Sequence, residues 1–326
     1  MTASPSWKVL VTDATFGPFD LEEEVLAPLG VQIVPAQCRT EAELVPLVGE
    51  VDAVLTQFAP VKAQVIAAMQ RCRVIVRYGI GVDNVDLAAA AARGIPVCNV
   101  PDYCIDEVAD HTLALILALT RQVVPGHQLF RNGGWGLAGS LQDLRALKYM
   151  TVGLVAFGRI GREVAARLRP HKCRLLVHDP MVDAATVRQL GAEPVSLDEL
   201  LATSDLVSLH CPSTPQTRAM INATSIERMK PGALLVNASR GDLVVTDDLL
   251  AALAAGRLAA AALDVTSPEP LPADHPLRQS DRVVVSSHVA SATPQAVRNL
   301  RTSAAQAVAR ALKGEPAVNV VNGVTP

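Results

Sequence analysis

The 326-residue sequence has no excess of basic charge: 29 lysines and arginines face 32 acidic residues, for a formal net charge of −3. A nucleic-acid binder would ordinarily show a basic surplus or a basic face, so nucleic acid is not the expected partner. The six cysteines (Cys38, Cys72, Cys98, Cys104, Cys173, Cys211) are scattered, with no C-x-x-C. That spacing suits neither a metal site nor a disulfide framework; reduced thiols in a cytoplasmic protein, with no metal, are the expectation. Long hydrophobic runs are missing too. "TLALILALT" at Thr112–Thr120 is too short to span a bilayer, and "MTASPSWKVLVTD" at the N-terminus has no basic n-region leading into an apolar stretch. Neither a membrane span nor a secretory signal is expected. There is no low-complexity linker and no sequence-level repeat.

What is present is apolar sequence, 50% of the residues, on a length that favours two domains. Short β-branched runs recur, each followed by a helical pattern, which argues for parallel sheets with crossover helices. The first series is "KVLVTD" (8–13), "VQIVPA" (31–36), "DAVLTQ" (52–57), "RVIVRYG" (73–79) and "IPVCNV" (95–100). A long helix is expected from about Asp106 to Arg131, apolar on more than one face, followed by the glycine-broken "NGGWGLAG" at 132–139. A second series follows: "TVGLVAF", "RLLVHD" (174–179), "DLVSLH" (205–210), "ALLVNAS" (233–239), "LAAAALDV" (258–265) and "RVVVSSH" (282–288). A last amphipathic helix is expected from about Pro294 to Lys313. The fold class is therefore α/β, two doubly wound parallel-sheet domains with a ligand cleft expected between them.

The stretch "VGLVAFGRIG" (152–161) nearly spells the dinucleotide fingerprint G-x-G-x-x-G, with alanine at 156 in place of the first glycine. A strand leads in, a helix starting near Arg159 leads out, and Asp179 closes the next strand about 20 residues on. Gly158 and Gly161, which let backbone approach a pyrophosphate and let helix pack on strand, are intact. Alanine at 156 is tolerable if φ there is negative. Asp179 favours NAD over NADP, because its carboxylate accepts from a free ribose hydroxyl and repels a 2′-phosphate, and "HDPMV" adds no arginine to reverse that. The alternative is a plain tight strand-to-helix turn; with strand, helix and acid all placed, NAD binding is the expectation, though not on this motif alone.

Three further strand ends carry polar residues: Arg240 in "VNASRGDLV", Asp264 and Glu269 in "LDVTSPEPLP", and His288 in "SSHVASAT". Singly, each has a bland reading: a cap partner, a solvated acid, a core histidine. Jointly they are the minimum kit for moving a hydride to or from a 2-hydroxy acid. Arginine grips the carboxylate, histidine exchanges the hydroxyl proton, and a carboxylate supports the histidine's acid form.

Together with "RYGIGVDNVDLAAAAARGIPVCNVP", "GRIGREVA", "LVSLHCPSTPQTRAMI" and "MKPGALLVNASRGDLV", these motifs resemble the D-isomer-specific 2-hydroxyacid dehydrogenases over nearly the whole chain. "RYGIGVDNVD" and "VPDYCIDEVADHTL" look most like the branch with the C-terminal-binding proteins and their bacterial relatives. The resemblance implies a Rossmann-like dinucleotide-binding domain at 101–290 and a flavodoxin-like substrate domain at 1–100 and 291–326. It implies catalysis by Arg240, Glu269 and His288. The cofactor would lie against Phe157, Gly158, Arg159, Ile160, Gly161, Asp179, Cys211, Pro212, Thr217, Ala238 and Ser239, with Asp264 on the nicotinamide carboxamide and Thr112 touching it as well. Ile80 and Gly81 would offer backbone amides to the substrate carboxylate, joined by Arg77 and Arg240. The implied assembly is a homodimer through cofactor domains.

The family's usual glutamate in "VAE" is Asp110 here, one methylene shorter, which would slacken a hinge contact. Thr266 replaces an aromatic and Val245 an aspartate. Formate dehydrogenases carry glutamine where Glu269 stands, and phosphite dehydrogenases a lysine where Ile80 stands, so both are disfavoured. Phosphoglycerate dehydrogenases often add a C-terminal regulatory domain that the sequence lacks, although short forms exist. The leading expectation is an NAD-dependent oxidoreductase acting on a small D-2-hydroxy acid or 2-oxo acid. The alternative is an NAD(H)-sensing dimeric binding protein of the C-terminal-binding-protein type.

Overall fold

The computed structural model describes residues 7–324; the first six residues, on which much of the leader reading rests, and the last two lie outside the described residues. The chain divides into two compact units. One runs to Tyr103 and resumes at Thr293; the other is Cys104–Ala292.

The first unit is built on five parallel strands, β1 (Lys8–Val11), β2 (Gln32–Pro35), β3 (Ala53–Thr56), β4 (Val74–Arg77) and β5 (Val97–Cys98), in the order β2-β1-β3-β4-β5. This is the flavodoxin-like order. β1 and β3 are almost wholly buried, so their side chains are apolar on both faces. The last helix, Pro294–Leu312, starts on a Thr293 cap with proline in its first turn. It lays Leu300, Ala304, Val308 and Leu312 against Val9, Val11, Leu55 and Val76. Its Arg301, 6% exposed, is paired with the fully buried Glu22, which also accepts from the Tyr78 hydroxyl at 2.9 Å.

The second unit carries seven parallel strands: β6 (Thr151–Val155), β7 (Arg174–His178), β8 (Glu193–Pro194), β9 (Leu206–Leu209), β10 (Ala233–Asn237), β11 (Leu258–Leu263) and β12 (Val283–Val285). Their order is β12-β11-β10-β9-β6-β7-β8. From β6 the chain winds outward through β7 and β8, then returns to β9 and winds the other way. The reversal puts a switch point at the carboxyl ends of β6 and β9, where ligands of such sheets bind.

One sequence expectation needs correcting. The long helix is two helices, Ile105–Thr120 and Val123–Arg131, separated at Gln122, whose φ is +49°. Pro125 is the reason: inside one continuous helix it would remove a hydrogen bond and clash with the preceding turn, whereas in the first turn of a new helix neither matters. Asp110, Asp106 and Glu163 pair with Arg167 at 2.5, 2.6 and 2.7 Å, tying helix 105–120 to helix 159–168 inside this unit.

Candidate active site

The glycine turn sits at the end of β6. Ala156 donates its N–H to His178 O at 2.8 Å, and Phe157 donates to the Asp179 carboxylate at 2.6 Å. The second Asp179 oxygen accepts from Met181 N at 2.7 Å, so the acid is fixed between the turn and the end of β7. The condition placed on Ala156 is not met: its φ is +78°. The turn demands the left-handed conformation whichever residue occupies it, at a cost of about 1–2 kcal/mol for a residue with a Cβ. The Ala156 methyl packs against the core cluster that contains Val155, Leu209 and Cys211.

The two retained glycines do different jobs. A Cβ on Gly161 would lie 2.5 Å from the Ala156 carbonyl oxygen, so the collision there is with the turn itself. A Cβ on Gly158 would meet nothing within 4 Å. Gly158 is also the cap of helix Arg159–Leu168 and contributes no side-chain cap. Open space over an uncapped helix N-terminus, with a carboxylate at the neighbouring strand end, fits a dinucleotide: pyrophosphate on the amides, ribose on Asp179.

Arg159 is exposed and Ile160 half-buried on this turn. Phe157 is different: its ring is fully buried among Val152, Leu154 and Val164, so only its backbone faces the turn. Thr112 is fully buried in helix 105–120, and its hydroxyl donates to Val108 O at 2.7 Å.

Cys211, Pro212, Thr217 and Ser239 form one cluster over the ends of β9 and β10. Ser239 Oγ donates to Cys211 O at 2.5 Å and Thr217 Oγ1 to Pro212 O at 2.6 Å. The Cys211 thiol is 5% exposed, and burial pushes its pKa up to about 11, so it is a neutral lining group. Ala238 lies beside Ser239, half-buried.

β10 ends in Asn237, almost fully buried, which shapes the arginine turn from both sides: its amide donates to Arg240 O at 2.8 Å and its carbonyl accepts from Ser239 N at 3.0 Å. Gly241 then lets this turn approach the 264–269 segment, because any Cβ there would collide with the Thr266 carbonyl. On that segment Glu269 accepts from His288 Nδ1 at 2.5 Å, with side chains 40% and 33% exposed. Burial works to raise the Glu269 pKa. The hydrogen bond and charge of His288, with the charge of Arg240, outweigh it and hold the carboxyl below the usual range. Arg240, Glu269 and His288 are thus brought together, with the His288 ring held to Glu269 through Nδ1.

His288 reaches this position through an unusual backbone: Ser287 and His288 have φ of +53° and +58°. Asp264, 2% exposed, braces the loop. Its carbonyl accepts from His288 N at 2.5 Å, its Oδ1 from Ser286 Oγ at 2.6 Å and Val289 N at 2.9 Å, and its Oδ2 from Ala290 N at 3.0 Å. The family resemblance implies that Asp264 orients the nicotinamide carboxamide; in the structure its carboxylate also carries the histidine loop.

In the first unit, Arg77 lies with its guanidinium 5.9 Å over the Phe58 ring. Gly79, at φ +145°, leaves room for that side chain, which any Cβ there would strike. Ile80 and Gly81 follow, with Ile80 O accepting from Asn99 Nδ2 at 2.6 Å.

Residues 113–290 match the family described as D-isomer specific 2-hydroxyacid dehydrogenase, NAD binding domain. The chain is 39% identical over 312 residues to a D-3-phosphoglycerate dehydrogenase of Mycobacterium leprae, covering 93% of this chain and 58% of that protein. It is 40% identical over 266 residues to a glyoxylate reductase of Thermofilum pendens, covering 80% of this chain and 78% of that protein. The crystal structure of D-lactate dehydrogenase from Aquifex aeolicus, complexed with NAD and lactic acid, superposes with a TM-score of 0.86 at 27% identity, covering 94% of this chain and 96% of that one. The chain spans little more than half the length of the phosphoglycerate dehydrogenases it matches.

Proposed function

The chain belongs to the D-isomer specific 2-hydroxyacid dehydrogenase family, and on that premise we propose that it is an NAD-dependent oxidoreductase of a small D-2-hydroxy acid and its 2-oxo counterpart. The observation that carries this is the 2.5 Å bond from His288 Nδ1 to Glu269, beside Arg240, on the strand edge that also bears the glycine turn.

Gly158, Gly161 and the amides of helix 159–168 would hold the cofactor's pyrophosphate, and Asp179 its ribose. When bound, NADH supplies the hydride that adds to C2 of a 2-oxo acid. Arg240 grips the substrate carboxylate with two parallel N–H donors and fixes which face of C2 is presented. His288 Nε2 donates its proton to the carbonyl oxygen as that oxygen gains charge, and accepts it back in the oxidative direction. Glu269 holds Nδ1–H, fixing the ring's orientation and opposing the charge the ring carries when protonated. Arg77, Ile80 and Gly81 belong to the first unit, and their assignment to the substrate carboxylate rests on the family resemblance.

His288→Gln and Arg240→Gln should each lower kcat/KM for 2-oxo acid reduction by roughly 10²-fold or more, the scale of an acid/base group. Full activity in both variants on the best substrate of a 2-oxo acid panel would sink the assignment. The NAD(H)-sensing alternative is not favoured, because the relatives above are named for dehydrogenase and reductase activities. Strong NADH-linked assembly without any turnover would restore it.

A homodimer is supported by apolar side chains left exposed along 123–149: Val123, Phe130, Trp135, Leu137, Leu141 and Tyr149. Sedimentation should show twice the chain mass, and a monomer at micromolar concentration would end that reading. No described helix is long and apolar enough to cross a membrane. A cytoplasmic site of action fits the six cysteines, all free thiols.

A further inference from the structure

Helix 105–120 carries His111, a residue given no role above. Its Nε2 lies 2.7 Å from Ser286 Oγ, and the Ser286 hydroxyl donates to Asp264 Oδ1 at 2.6 Å. A serine hydroxyl has one proton. With that proton committed to Asp264, the contact from His111 must be a donation, so His111 carries a proton on Nε2. The same Nε2 stands 3.7 Å from Asp264 Oδ1.

The consequence reaches His288. The left-handed pair Ser287–His288 is braced on its far side by backbone alone, through Val289 N and Ala290 N on the Asp264 carboxylate. On its near side the brace to the same carboxylate is the Ser286 side chain, which can rotate unless its oxygen is held. His111 is the group that holds it. We infer that His111 is a positioning residue for the acid/base histidine, acting through the Ser286 hydroxyl and Asp264 to keep the 286–290 loop in its left-handed form. An apolar side chain would fill the same volume but would release the hydroxyl. Nothing in this role requires His111 to touch substrate or cofactor.

This inference rests on the reading of His288 as the acid/base group, and its test separates the two. The variants are His111→Leu, which removes the donor, and His111→Gln, which can return an N–H to Ser286. In His111→Leu, kcat for the best 2-oxo acid should fall on the order of tenfold, as expected when a reacting group is misplaced by a fraction of an ångström. NADH affinity, measured by fluorescence titration, should stay within about twofold, because no cofactor contact is removed. His111→Gln should recover most of the lost kcat. Equal kcat in the wild type and His111→Leu, or no difference between the two variants, overturns the inference. A readout independent of turnover is the ¹⁵N spectrum of labelled histidine. It should place a proton on His111 Nε2 and show the His288 ring signals broadened in His111→Leu but not in His111→Gln. A bare Nε2, or unchanged His288 signals, overturns the inference as well. If the wild type reduces no 2-oxo acid while the spectra behave as stated, the functional reading fails and the positioning bond stands.

Discussion

Among the turns of the second unit that hold residues with a Cβ in left-handed backbone, those at 156 and at 287–288 do so by opposite means. At 156 the turn is closed by backbone and by glycine: Ala156 N on His178 O, Phe157 N on Asp179, and Gly161 yielding space to the Ala156 carbonyl. At 287–288 no residue is glycine, and the strain is held by one buried carboxylate that gathers a hydroxyl and two amides. The difference follows from what each turn presents. On the proposed reading the first would offer the amides at the start of helix 159–168 to a pyrophosphate, where side chains would obstruct. The second exists to present a side chain, so glycine is ruled out at 288 and the cost of the conformation must be met by a neighbour.

The comparison makes Asp264 the more consequential residue. Asp264→Asn keeps the shape but turns one accepting oxygen into a donor facing a hydroxyl or an amide N–H. Each buried donor left unpaired costs about 1–3 kcal/mol, so the loss should be roughly 2–4 kcal/mol of stability, read as a lowered Tm. A fall of about 10²-fold in kcat/KM should accompany it as His288 leaves its position. A variant with wild-type Tm and turnover would show that the loop holds itself.

The glycine turn should respond in two separable ways. Gly161→Ala forces a methyl against the Ala156 carbonyl and should cost about 1–3 kcal/mol of stability, as overpacking does. Gly158→Ala meets no protein atom and has an ordinary φ of −70°, so Tm should hold or rise slightly. What it should lose is NADH affinity, by roughly tenfold, equivalent to about 1.4 kcal/mol. If Gly158→Ala binds NADH as the wild type does, the pyrophosphate does not approach that amide.

Much of this was legible in the sequence because strand ends in a parallel sheet inherit their position from their register. "VNASRG", "LDVTSPE" and "SSH" each follow an apolar strand run, so Arg240, Glu269 and His288 had to emerge on the same edge of the second sheet. What was not legible was partnership. Nothing in "DHTLALILALT" distinguishes His111, which reaches Ser286, from Thr112, whose hydroxyl turns back into its own helix. Nor does "VAFGRIG" reveal that Phe157 gives its ring to the core, or that Asp264 spends its carboxylate on the loop. The short strand β8 (Glu193–Pro194) escaped for lack of an apolar run. The break at Gln122 was signalled by Pro125, three residues on, and was outweighed by the apolar pattern around it.

The smallest expected effect is at Ala156, where three terms nearly cancel. Ala156→Gly removes the left-handed penalty of about 1–2 kcal/mol. Against that stand the greater freedom of glycine in the unfolded chain, about 0.4–1 kcal/mol, and the loss of a methyl packed on the Val155–Leu209 cluster, about 0.8 kcal/mol. The net change in stability should lie within about 1 kcal/mol of zero, and NADH affinity should move by less than about fivefold, because the amides at 157–159 keep their places. Denaturant titration and fluorescence binding measure both. A gain in stability well beyond this would mean that the methyl contributes nothing to packing; a collapse would mean that it is what holds the turn. Near-neutrality is the outcome that explains how alanine can stand where a left-handed turn asks for glycine.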